Sequence, residues 1–168
     1  KKIWDLNLEP IMIKLMHPEE GSGWNREQTL FAIEEYRRFL FLTVTRHESI
    51  IPKKYVDEVW HAHILDTEKY AFDCNQTFEF FLHHFPYLGM RGDEDKQLLT
   101  KSFSISAYIY EAEFKSPYLT NFDNNIASMC DGGSDGSSCD NEYAGSINLP
   151  DANYATILAA MRPSLNSL

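Results

Sequence analysis

A chain of 168 residues with 43% apolar and 14% aromatic residues has the size and composition of one packed domain, which excludes an extended disordered chain. Twenty-five Asp and Glu against fifteen Lys and Arg leave a formal charge of −10, which opposes the attraction that nucleic-acid and anionic-membrane binders depend on. No apolar run approaches the ~18 residues of a spanning helix, so the chain reads as a soluble, cytoplasmic domain with no membrane span and no nucleic-acid partner.

Ile11 to Met16 is apolar between Pro10 and Pro18 and predicts a short packed helix or an irregular N-terminal segment, followed by a turn at Gly21-Ser22-Gly23. Asn25 with Gln28 three residues on has the form of a capping box. Leu30, Ile33, Leu40 and Val44 then recur at helical spacing, while Glu34, Glu35, Arg37 and Arg38 interrupt them as a solvated face would. This amphipathic helix is expected to end near His47. Arg37-Arg38 and Lys53-Lys54, the densest basic stretches, are only pairs and read as solvated.

Pro52 suits the first turn of a second helix, expected from about Tyr55 to Cys74. Asn75-Gln76-Thr77 is the expected break, with a shorter helix from about Thr77 to His84 ended by Pro86 and Gly89. Asp93, Glu94 and Asp95 favour a helix start, and Leu98, Ile105, Ile109 and Ala112 continue it. The alternation of Phe103, Ile105, Ala107 and Ile109 also fits a strand, and Ser116-Pro117 closes the element.

These segments predict an all-α, single-domain helical bundle over residues 1–120. Residues 121–150 are rich in Asn, Asp, Gly and Ser and read as a flexible linker, without the ligand order of a calcium-binding loop. Residues 151–168 read as a short terminal helix or tail. Of the three cysteines, Cys74 falls in a helical segment, while Cys130 and Cys139 either close a small loop in an oxidising compartment or stay reduced.

The residues able to carry chemistry lie between Asp57 and His84. A helix advances about 100° per residue, which puts His63 on a face with Val56, Val59, Asp66, Tyr70 and Cys74, and His61 on another with Asp57, Leu65 and Glu68. Asp57 with His61, or His63 with Asp66, brings a carboxylate and an imidazole together, and His83 and His84 are the natural donors from a second element. Asp57, His61, His63, Asp66, His83 and His84 are therefore the candidate ligands, in a set that suits divalent zinc, iron or copper. The same pairs also fit carboxylate–histidine hydrogen bonds that satisfy polar groups at a helix packing surface.

Val56-Asp57, Trp60-His61 and His63, then Thr67, Tyr70 and Cys74, then Phe81-Leu82-His83-His84 and Pro86-Tyr87, form a pattern that resembles the glycine-rich domain-containing protein-like family over roughly Trp24 to Pro117. The resemblance implies a helical domain followed by a Gly-rich, Cys-containing tail, with Asp57, Trp60, His61, His63, Tyr70 and one of His83 or His84 as signature positions. It implies no particular reaction.

The expected function is metal or small-ligand binding, and as an enzyme the chain would use a metal-activated water for hydrolysis or a metal for oxidation. A second expectation is a protein-interaction module, with Phe78, Phe80, Phe81 and Phe85 docking a partner and the histidines structural. A third makes the helical domain a carrier for the segment around Cys130 and Cys139.

Overall fold

The computed structural model describes residues 2–119. The segment 121–150, the pair Cys130 and Cys139, and the terminal helix expected from Asp151 to Met161 lie outside the described residues. Within them the chain forms five α-helices and no strand: α1 (Glu9–Met16), α2 (Arg26–Thr45), α3 (Lys54–Leu65), α4 (Thr67–Phe78) and α5 (Asp93–Phe114). No helix among them is long and apolar enough to cross a membrane.

The capping box sets the start of α2: Asn25 Oδ1 accepts from the Gln28 N–H at 2.9 Å while the Asn25 N–H donates to Gln28 Oε1 at 3.0 Å. Ile33 and Leu40 of its apolar stripe are buried with Ala32, Tyr36, Phe39 and Leu42, whereas Leu30 lies on the exposed side. The helix ends at Thr45, where the backbone of Arg46 turns extended. Against α2 pack both α1, whose Ile11 and Leu15 face inward, and α3. Contacts from α1, α2 and α4 make α3 the centre of the bundle, and its Tyr55, Val56, Val59, Trp60 and His63 are all buried.

Two expectations about the second half are corrected. The helix begun near Pro52 does not run to a break at Asn75; it stops at Leu65, and Asp66 caps the next helix by accepting from the Lys69 N–H. An N-cap Asp followed by Glu68 in the first turn offsets the free N–H groups and the positive helix end. Helix α4 then continues through Asn75, Gln76 and Thr77 to Phe78, where Glu79 takes a left-handed conformation (φ 67°). The short helix expected from Thr77 to His84 is absent beyond Phe78, and His83 and His84 sit on irregular chain. Pro86 disfavours helical backbone in the residue before it, and Phe80, Phe81, His83, His84 and Phe85 have only middling helix propensity to oppose that.

Residues 103–109 are helical, so the strand alternative does not hold. Yet α5 is docked by only part of its expected apolar face: Ile109 packs against the core, whereas Leu98, Ile105 and Ala112 are exposed. Polar groups add to the packing of Tyr110 and Phe114, as Ser106 Oγ accepts from the Ile51 N–H at 2.8 Å and the Tyr110 hydroxyl donates to the Glu35 carboxylate at 2.7 Å. A polar peg leaves no trace in a hydrophobic pattern.

Glu35 and Lys53, both expected on solvated faces, are buried at 4% and 2% exposure and form an ion pair at 2.5 Å. Arg38 and Tyr110 share the Glu35 carboxylate, and Lys53 Nζ lies 4.2 Å from the Tyr110 ring centre and 4.4 Å from that of Tyr118. Burial pulls the Lys53 ammonium below its ordinary range, against the opposing pull of Glu35. Removing one member strands the other in a poorly solvated position. Glu35→Ala is expected to cost about 3–5 kcal/mol in urea unfolding, while Glu35→Leu combined with Lys53→Met recovers most of that loss. A single variant within ~1 kcal/mol of wild type would show that the pair is solvated after all.

Candidate metal centre

The geometry of α3 sends its two histidines in opposite directions. On the inner face, His63 is 2% exposed and bridges two helices: the Tyr36 hydroxyl lies 3.0 Å from Nδ1 and Asp73 Oδ2 lies 3.0 Å from Nε2. Lys69 Nζ reaches the same Asp73 oxygen at 2.6 Å. Burial lowers the His63 pKa, with the Asp73 charge opposing it, which favours the neutral ring. The neutral tautomer satisfying all partners accepts a hydrogen bond from the Tyr36 O–H at Nδ1 and donates the Nε2–H to Asp73.

A phenol, an imidazole and a carboxylate in series have the order of a nucleophile, base and orienting acid. Their burial argues against that use: Tyr36 is fully buried, and desolvation with nearby negative charges pushes its phenol well above its ordinary range. The array is a structural tie between α2, α3 and α4. Asp73, not Asp66, is the carboxylate partner of His63, because the chain turns at Asp66 and carries α4 back beside α3.

On the outer face Asp57 and His61 stand one helical turn apart, with Asp57 Oδ2 at 3.6 Å from His61 Nε2. His84 arrives from the irregular segment after α4 and places Nε2 at 3.0 Å from Asp57 Oδ1. The His61 and His84 rings meet at 4.7 Å, and one ligand atom from each of the three residues lies within 4.8 Å of the others. Among the described residues this is the group of three that could share an ion. His61 is half exposed while the His84 side chain is 14% exposed, so the cluster opens outward from a sheltered floor.

Of the six candidate ligands, then, Asp57, His61 and His84 are brought together. His63 is committed to the interior, Asp66 is an exposed helix cap, and His83 is not in the cluster but exposed beside the Phe81 ring at 4.9 Å. Tyr36, Asp73 and Lys69 were not singled out by the sequence. Lys69 and Asp73 are four apart on one helix, and that spacing signals their ion pair but not the contact with His63.

Two cavities among the described residues lie elsewhere. A cleft of about 210 Å³ is lined by Glu35, Arg38, Lys53 and Tyr110 among others, and a space of about 10 Å³ that shares Glu35, Lys53 and Tyr110 with it has room for no more than one water. The outward cluster is a surface centre.

The beginning of α5 closes the segment that carries His84. Asp95 accepts from the Gly89 N–H at 2.6 Å and the Arg91 N–H at 3.2 Å and pairs with the Arg91 guanidinium. Gly89 has φ 88°, and an added Cβ would lie 2.6 Å from the Leu99 side chain, so the turn requires glycine there.

The architecture defines a class: a small all-helical domain with a buried Tyr–His–Asp tie and an outward Asp–His–His cluster on its central helix. Residues 7–117 match the UCP032817-like family, and the chain belongs to it. This corrects the resemblance to the glycine-rich domain-containing protein-like family: the matched family is a different one, and its span ends before the Gly-rich stretch that would have distinguished such a protein. The Asp-Trp-His-His residues behind that resemblance are the packing and surface positions of α3, which specify a helix rather than a tail. No curated protein and no solved structure matches the chain.

Two measurements check this division of labour. In metal-free protein His63→Ala is expected to cost about 2–4 kcal/mol, because it opens a cavity and leaves the Tyr36 hydroxyl unpaired, whereas His61→Ala should stay within about 0.5 kcal/mol. Equal losses would contradict the inward and outward placement. Burial alone would raise the Asp95 pKa, but hydrogen bonds from the Arg91 side chain and from the Arg91 and Gly89 backbones, with the Arg91 charge, hold it below its ordinary value. Its stabilising share is thus fully present above about pH 3.9 and is lost as pH falls through the lowered folded-state value. Asp95→Asn should remove that share, giving a shallower fall of melting temperature below about pH 4 than wild type.

Proposed function

We propose that this domain binds a divalent transition-metal ion through Asp57, His61 and His84, with zinc as the first choice and iron or copper as the alternatives. The single observation that carries the reading is the convergence of these three side chains from two separate stretches of chain, α3 and the segment after α4. Two imidazoles and one carboxylate are a donor set used for zinc in hydrolytic sites and for non-haem iron in oxygenases. The open outer side leaves coordination positions for water or a small ligand. A bound ion there would supply Lewis acidity or a metal-activated water, which makes metal-assisted hydrolysis the first enzymatic class to test and metal-dependent oxidation the second.

Rigidity supports the assignment. Asp57 and His61 belong to a helix packed on three others, so their separation is set before any ion arrives. A second reading has its own observation: Phe80, Phe81 and Phe85 are 50%, 47% and 38% exposed on the segment that carries His84, as an aromatic docking surface would require, although Phe78 is partly buried. In that reading the Asp57–His84 contact only pins the segment to α3.

Zinc titration of untagged protein against a competing chelator separates the two. Stoichiometric zinc is expected for wild type, with losses well beyond the ten- to hundredfold of an outer partner in Asp57→Asn, His61→Ala and His84→Ala. His83→Ala and Asp66→Asn should bind as wild type does. Failure of wild type to bind zinc, iron(II) or copper(II) would leave the docking reading standing, and equal binding by all variants would place the ion elsewhere.

A further inference from the structure

The segment from Glu79 to Gly92 has no regular backbone ladder, yet it must deliver the His84 imidazole to a fixed point above α3. Two side chains of neighbouring helices meet it just before that point. The Tyr70 hydroxyl, from α4, donates to the Leu82 carbonyl at 2.5 Å, two residues ahead of His84. Trp60, from α3, donates its Nε1–H to the same Tyr70 oxygen at 2.9 Å and sets its ring 4.4 Å from the His84 ring, nearly edge-on at 66°.

The direction of this relay follows from the donors available. An indole N–H only donates, so the Tyr70 oxygen accepts from Trp60 and its single proton is left for Leu82. Tyr70 is 2% exposed, and burial pushes its phenol well above the ordinary range, so the proton stays in place. Trp60 also lies between Asp57 and His61 in the sequence of α3, so the turn that presents two of the ligands also presents the surface on which the third rests. A shift of the Leu82 carbonyl moves His84 relative to that turn.

We infer that Tyr70, oriented by Trp60, is a positioning residue for the metal centre, holding His84 at coordination distance from Asp57 and His61 through the Leu82 carbonyl. This rests on the metal-binding reading of those three ligands. The role matches that of outer hydrogen-bond partners in metal sites, which fix the orientation of a ligand they do not replace.

The test is a double-mutant cycle read as zinc affinity, with the absorption spectrum of the cobalt(II)-loaded protein as a second readout of coordination geometry. Tyr70→Phe removes one oxygen and is expected to weaken zinc binding about ten- to hundredfold and to change the cobalt spectrum. Introduced into His84→Ala, the same substitution should cost no further affinity, because the residue it positions is gone. A merely structural tyrosine would cost the same in both backgrounds, and that result would overturn the inference. So would wild-type affinity in Tyr70→Phe. If that variant does not fold, Trp60→Phe, which removes the N–H that orients the hydroxyl, is expected to weaken zinc several-fold, and unchanged affinity there is equally fatal. Wild type that binds no zinc sinks the metal centre and this role together, whereas loss in His84→Ala without loss in Tyr70→Phe sinks this role alone.

Discussion

The helical step of about 100° per residue on α3 is the constraint from which the site follows. His61 and His63 are two residues apart and therefore about 200° apart around the axis, so one must face outward when the other is packed inward. Val56, Val59 and Trp60 choose which, because burying them against α1, α2 and α4 turns His63 to the interior and leaves His61 and Asp57 outside. Apolar burial settles the orientation of the helix, and the polar residues accept the consequence.

Polar groups taken inside are then satisfied by specific partners. His63 joins Tyr36 and Asp73, Glu35 joins Lys53, Arg38 and Tyr110, and Ser106 receives the Ile51 N–H. Such contacts add less net stability than their short distances suggest, since each partner gave up water to make them. What they impose is register: a helix displaced along its neighbour loses all of them at once and leaves buried groups unpaired. In α5, where Leu98 and Ile105 face outward, this polar register acts beside the packing of Ile109, Tyr110 and Phe114 against the core.

The outward cluster has the opposite construction. Asp57 and His61 are held by helix geometry alone, while His84 depends on tertiary contacts at Trp60, at Tyr70 through Leu82, and at the Asp95 turn. In the proposed metal site a rigid pair and a tethered third donor would make the geometry depend on the surroundings of His84. Its position on the surface, away from the cleft at Arg38 and Lys53, suits a ligand that approaches from solvent.

Much of the fold was legible in the sequence because it rests on short-range physics. The Asn25 and Gln28 box, the apolar stripe of α2, the proline before α3 and the acidic start of α5 act within a turn or two of themselves, and each element appears where they put it. The separation of His61 from His63 was legible for the same reason. Asp66 is a readable N-cap as well as a candidate ligand, and as a cap it puts the helix break at Leu65 rather than at Asn75. Beyond that, only tertiary structure decided the outcome. The pairing of His63 with Asp73, the burial of Glu35 with Lys53, and the choice of His84 over His83 each join residues at least ten positions apart. A side chain's helical periodicity is silent on such contacts, because they depend on how the chain returns after Asp66 and Glu79 and on what it meets there.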